Sequence, residues 1–158
     1  MTEKLENRIF NKFKKIFPSG NLKRRYGNTR KLHSATLERI ECDDGWYELI
    51  YSVCEKIQKY VDESGCEQIT AVQIKEEFAS LKFLTVNFVT KNGNLIPKYN
   101  EKHSAFISNL TKWAEEQSLQ ICELTGGHGG LTKKGFWFKT LGEDAALLLG
   151  YQRNKDSI

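Results

Sequence analysis

The side chains in this chain that are fit for catalysis or metal binding are His33, His103 and His128, Cys42, Cys54, Cys66 and Cys122, and the adjacent acids Asp43 and Asp44. No two histidines stand at the spacing that puts both imidazoles on one helical face, and no serine or cysteine has a recognisable base beside it. The four cysteines are scattered without a C-x-x-C pair, so they read as reduced thiols rather than a disulfide framework or a zinc ribbon. Asp43 and Asp44 lie just before Trp46, where two carboxylates beside an aromatic ring suit a metal or general-acid site. The plainer reading is that one of them caps a helix by accepting its free N–H groups and complementing its dipole. Gly126-Gly127-His128-Gly129-Gly130 offers a flexible loop for phosphate. It lacks both the Lys-Ser/Thr that follows a P-loop and the strand-to-helix setting of a dinucleotide fingerprint. His103 falls in the first turn of an expected helix and reads as a partly exposed surface histidine.

Binding chemistry is better represented than catalytic chemistry. Lys23, Arg24, Arg25, Arg30 and Lys31 crowd around Tyr26 within residues 21–34, the most cationic stretch of the chain. Such a loop can neutralise phosphates while the tyrosine stacks on a base, although a run of charge equally describes a solvated loop. Lys133 and Lys134, with Lys139, flank the aromatic block Phe136, Trp137 and Phe138 and form a second basic group. Net charge is only +4, and the acids of 41–44 and 76–77 balance the basic loop, so the overall field is modest. If an interface exists, exposed aromatics beside arginine are the residues to examine, with Tyr26, Arg24 and Arg25 as candidates.

The elements that must hold these residues are legible from periodicity. Hydrophobic residues make up 39% and charged residues 28% of the 158, ordinary values that predict one domain over 1–158 with a core of its own. No run approaches the roughly 20 apolar residues of a membrane span, and the first residues lack a secretory segment, so a cytoplasmic protein is expected. The densest β-branched and aromatic stretch, 69–89, predicts two strands around a corner at 76–80, with the second strand apolar on both faces and in need of cover on both. Leu5, Ile9, Phe13, Ile16 and Phe17 predict an amphipathic helix over 4–17, stopped by Pro18. Trp46, Leu49, Ile50, Val53, Cys54, Ile57, Tyr60 and Val61 predict a helix over 44–64 that Gly65 closes. Asn92-Gly93 predicts a reversal into a brief third strand at Leu95 and Ile96. Asn100 caps a helix over 100–118, and the aromatic block reads as a packed strand. A short last helix over 143–150 is expected to turn Ala145, Leu148 and Leu149 inward. The fold class is α+β: a small antiparallel β-sheet built on a central hairpin and covered by three or four helices.

With the motifs in order, the chain resembles a family of small, mostly uncharacterised proteins encoded by bacteriophages and prophages. Members carry a Cys-Gly-Asp-Gly-Trp box heading a helix, a Val-Lys-Glu-Lys-Phe-Gly hairpin, a Cys-x-x-Cys-Gly knuckle and a Trp-x-Lys-Thr-Leu-Cys-x-x-His ending. The matching stretches are ECDDGWYELI from Glu41, VQIKEEFASLKF from Val72, CELTGG from Cys122 and FWFKTLGEDA from Phe136. The resemblance implies a four-ligand zinc site over 122–150, but the four positions read Cys122, Thr125, Gly142 and Ala145. One thiolate cannot hold zinc in tetrahedral geometry, so no metal and no cofactor are expected, and packing by the aromatic block and the 147–149 leucines is expected to compensate. The resemblance also implies a non-enzymatic phage or mobile-element accessory protein in the bacterial cytoplasm, binding a host or phage protein, for example as an inhibitor of host defence. Two alternatives stand beside it: a nucleic-acid-binding module built on the basic residues, and a small enzyme whose site is not visible in sequence.

Overall fold

In the computed structural model, which describes residues 1–18, 37, 39–91, 94–97 and 101–153, the dense apolar stretch is the expected antiparallel hairpin. β1 (Ile69–Glu77) pairs with β2 (Ser80–Lys91), which pairs in turn with β3 (Asn94–Pro97) to make a three-stranded sheet. The register slips by one residue between Ala71 and Gln73. That bulge at Val72 moves the inward set from Ile69 and Ala71 to Ile74, all three buried, where strict alternation would have continued on the other face. On β2, Leu81 and Phe83 are buried, but Leu84 on the opposite face is 49% exposed. Cover on both faces of this strand is therefore incomplete, because the helices pack mainly on the face that carries Ile74 and Phe83.

Helix α1 (Glu3–Lys12) is shorter than the periodicity of 4–17 implies. Phe13, Ile16 and Phe17 are still buried, but they sit in a tight turn in which the N–H groups of Ile16 and Phe17 both donate to the Phe13 carbonyl. A helix and a turn with the same i, i+3, i+4 contacts give one apolar pattern, which is why the spacing did not separate them. The turn is useful to the sheet, since Ile16 O accepts the Ala71 N–H at 3.0 Å, while Glu41 bonds to Ile74 O and to the Glu76 N–H. The open edge of β1 is thereby covered.

Helix α2 (Tyr47–Ser64), entered through a single 3-10 turn at Asp44–Trp46, buries Leu49, Ile50, Val53, Cys54, Ile57 and Val61, and ends as expected on Gly65 at φ +64°. Neither Asp43 nor Asp44 caps it. Asp44 Oδ1 accepts the Thr2 N–H at 2.6 Å and Asp43 is drawn to Lys139, so distant partners outcompete the local N–H groups. Helix α3 (Glu101–Ser118) lies along β2, where Ser118 Oγ accepts the Leu81 N–H at 2.9 Å and Glu115 pairs with Lys82. It meets α2 through Tyr60, whose ring stacks on Phe106 at 3.8 Å and whose hydroxyl is hydrogen-bonded to His103 Nδ1 at 2.9 Å. These elements enclose one core centred on Trp46, Ile50, Ile57, Ile74 and Leu81.

Residues 130–153 build a second sheet, in the order β5 (Trp137–Leu141), β4 (Gly130–Lys134), β6 (Gln152–Arg153), with α4 (Glu143–Leu149) against it. Its core is small and separate: Cys122, Leu141, Ala145 and Ala146, with Leu124, Leu149 and Tyr151 partly buried around them. Two packing expectations are corrected here. Leu147 and Leu148 are 82% and 79% exposed, because the inward positions of α4 are the adjacent alanines, which let the helix approach closely. Phe136 and Trp137 are 95% and 75% exposed, because the turn between β4 and β5 carries them past the last residues that the core can cover.

Candidate functional site

The two cores meet where the motif stretches from Glu41 and Cys122 touch. Gly45 lies so close to the second unit that a Cβ placed on it would fall 2.2 Å from Cys122 O and 2.5 Å from Gly126 N, both backbone atoms. The Gly45 N–H donates to Glu123 O at 2.7 Å, and Trp46, with no exposed surface, donates its Nε1–H to Ile121 O at 2.9 Å. Across the same joint Thr140 Oγ1 donates to Ala79 O at 2.7 Å.

At its centre is an ionic cluster around a buried carboxylate, its Lys139 and Asp43 partly exposed. Glu123 is 1% exposed; its Oε1 accepts the Asp43 N–H at 3.1 Å and its Oε2 accepts Lys139 Nζ at 2.8 Å, while Lys139 also reaches Asp43 Oδ2 at 3.0 Å. Desolvation raises the Glu123 pKa above the ordinary carboxylate value, opposed by the hydrogen bond and charge of Lys139. Burial also pulls Lys139 downward, but its bonds and charge interactions with Glu123 and Asp43 more than reverse this and hold it above the usual lysine value. Both carboxylate oxygens of the buried Glu123 are engaged by groups from distant parts of the chain, which suits the cluster to fastening the two units together. Periodicity could not find it. The available signals were single polar residues in apolar settings, Glu123 after Cys122 and Lys139 between Phe138 and Thr140.

Beside this cluster the four positions aligned with zinc ligands do converge. Cys122, with no exposed surface, packs with Ala145 in the second core, and a Cβ on Gly142 would lie 3.8 Å from its Sγ. The donor set does not fit a metal, since Thr125, Gly142 and Ala145 supply no second thiolate or imidazole. Hydrogen bonds meet the thiol instead. Burial pushes Cys122 up, but bonds from the Thr125 hydroxyl and from the backbone N–H groups of Gly142, Thr125 and Leu124 outweigh it and bring the thiol below its ordinary value. Cys42, by contrast, is pushed up to about 12, chiefly by burial. Among the described residues no three His, Cys, Asp or Glu side chains are grouped as a metal site.

The exposed chemistry lies at the far end of the second unit. Gly135 and Phe136 form the two-residue turn between Lys134 and Trp137, and Gly135, at φ +61°, supplies the positive φ such a turn needs at its first position. Lys133 stands over the Phe138 ring at 5.5 Å, and Lys134 over Tyr151 at 5.8 Å while donating to Leu149 O at 2.8 Å. A groove of about 390 Å³ runs beside them, lined by Lys133, Lys134, Gly135, Gly150, Gln152 and Arg153. A second groove of about 420 Å³ lies between α1 and α2, with Lys4, Arg8 and Lys12 along one side; its Tyr47 ring is covered and offers no open face. Of the candidate binding residues, Lys133 and Lys134 are thus placed together at an exposed tip. Lys23, Arg24, Arg25, Tyr26, Arg30 and Lys31 lie outside the described residues. Comparison with protein-family models, with curated proteins and with solved structures finds no match.

Proposed function

We propose that this chain is a non-enzymatic binding protein that attaches to a macromolecule through the tip of the β4–β5 hairpin. One observation carries the reading: Phe136 and Trp137, 95% and 75% exposed, project from a tight turn on a unit that is fastened by buried polar contacts. Large aromatic side chains bare to water and held on a rigid base are the residue type and setting that dominate binding energy. The cluster of Asp43, Lys139 and the buried Glu123 supports it from the other side. Lys139 is shared between the two carboxylates, and Glu123, 1% exposed, has almost no surface at which a substrate would arrive. Resemblance to phage proteins gives the setting, an accessory protein acting on a host or phage macromolecule in a bacterial cell. The test is capture from a bacterial lysate by the immobilised chain and by a variant with Phe136→Ser and Trp137→Ser. A species retained by the first and lost by the second, with unchanged circular dichroism, is expected; identical retention by both removes the tip from consideration.

A further inference from the structure

Resting on that reading of the hairpin tip, we infer that its partner is single-stranded nucleic acid, stacked by its bases on Phe136 and Trp137 and held by its phosphates against Lys133, Lys134 and Arg153. Residues opposite one another in an antiparallel pair share a face. Lys134 is opposite Trp137, and Arg153, opposite Thr132, stands two residues back along the same face of β4. An exposed indole therefore shares its strand face with two cations, while Lys133 lines the same groove.

Among the described residues no acidic residue lines that groove. The nearest described acids along the chain, Glu143 and Asp144, occupy the first turn of α4, whereas the groove meets the other end of that helix at Gly150; Asp156, three residues past Arg153, lies outside the described residues. Lys134 is anchored by the Leu149 carbonyl and keeps its remaining N–H donors for a ligand. Gly135 and Gly150 both have open space where a Cβ would point on the groove side, apart from the Lys134 side chain itself near Gly150, so a backbone phosphate can approach closely. A ligand matching this surface offers flat faces and regular negative charge together. A duplex hides its base faces in the stack, and an acidic peptide carries the charge without the planar rings.

The probe is a fluorescently labelled oligothymidylate of about 16 nucleotides, titrated with the full chain and followed by anisotropy. Binding at low salt is expected, weakening with a log–log slope of about −2, since three cations each release counterions worth about −0.7 on a single strand. Trp137→Ala should weaken binding by about tenfold or more without changing that slope, and Arg153→Ala should flatten the slope by about 0.7. The same sequence annealed into a duplex should bind less tightly. No binding at low salt, equal affinity of Trp137→Ala, or preference for the duplex overturns the inference. If oligonucleotide binding fails while Trp137→Ala still abolishes capture of a protein from nuclease-treated lysate, the tip remains a contact surface and its partner is a protein. If both measurements fail, the reading of the tip falls as well.

Discussion

Lys139 illustrates how much a single side chain can hold in this protein. Replacing it with methionine removes the partner of a carboxylate that is 1% exposed, and should cost about 2 to 3 kcal/mol, below the full value for a buried pair because the Asp43 backbone N–H still donates to Glu123. The deficit should depend on pH in both directions. Lys139 is held above 10.5 in the fold, so its contribution is complete below that value and is lost as pH rises through the folded pKa. Glu123 is held above 4.5; its protonated form is the one the fold favours, so stability from this group is greatest at low pH and declines as pH rises through its folded pKa. Thermal unfolding of Lys139→Met should therefore differ most from the parent near neutral pH. The difference should shrink on acidification toward 4.5 and again above 10.5. A deficit independent of pH would mean that Lys139 acts by packing alone. None of this was legible in the sequence, because the bonds from Asp43 to Glu123 and Lys139 span 80 and 96 residues, and no local pattern encodes such a meeting.

Among the elements, the β1–β2 hairpin was the most legible and its turn the least. Its two turn residues, Phe78 and Ala79, both adopt left-handed backbone, at φ 51° and 64°, where Asn-Gly is the usual choice. The strained pair is held from outside: Ala79 is buried, its N–H bonds to Glu76 and its carbonyl to Thr140. Phe78, 82% exposed, has no such support, so Phe78→Asn should raise stability by about 0.5 to 1 kcal/mol, read from urea denaturation. The knuckle-like segment behaves differently. Its apolar leucines looked like compensation for missing ligands, yet the small core uses Ala145 and Ala146 and turns Leu147 and Leu148 outward. Hydrophobicity alone marks Leu above Ala; which one faces inward depends on how closely the helix approaches, and that is a tertiary fact. Hydrogen bonds meet the Cys122 sulfur, and its neighbours Thr125, Gly142 and Ala145 offer no second thiolate or imidazole, so a chelator should leave the melting temperature unchanged. Cys122→Ala, which leaves those donors without an acceptor, should cost about 1 to 3 kcal/mol.

At the scale of the whole molecule, the α+β architecture followed from periodicity because one residue in two or three faces the main core along 47–64 and 69–83. No helix among the described residues is long and apolar enough to cross a membrane. What periodicity left out is that there are two cores rather than one, joined largely through polar contacts and a glycine. Gly45→Ala would press a methyl against three backbone atoms, and should destabilise by about 3 kcal/mol or separate the two units outright. Hydrogen exchange of the residue-45 amide, which donates to Glu123 O across the joint, would report that separation before α2 loses protection.

The tryptophans give this seam a colour. Trp46 has no exposed surface and donates to Ile121 across it, while Trp137 is three-quarters bare. Acrylamide should extinguish the red-emitting ring at the tip first and leave a blue-emitting remainder from Trp46 and from Trp113, which is partly buried against the main core. On warming, a red drift of that shielded remainder ahead of any loss of far-ultraviolet ellipticity would time the parting of the halves without a label.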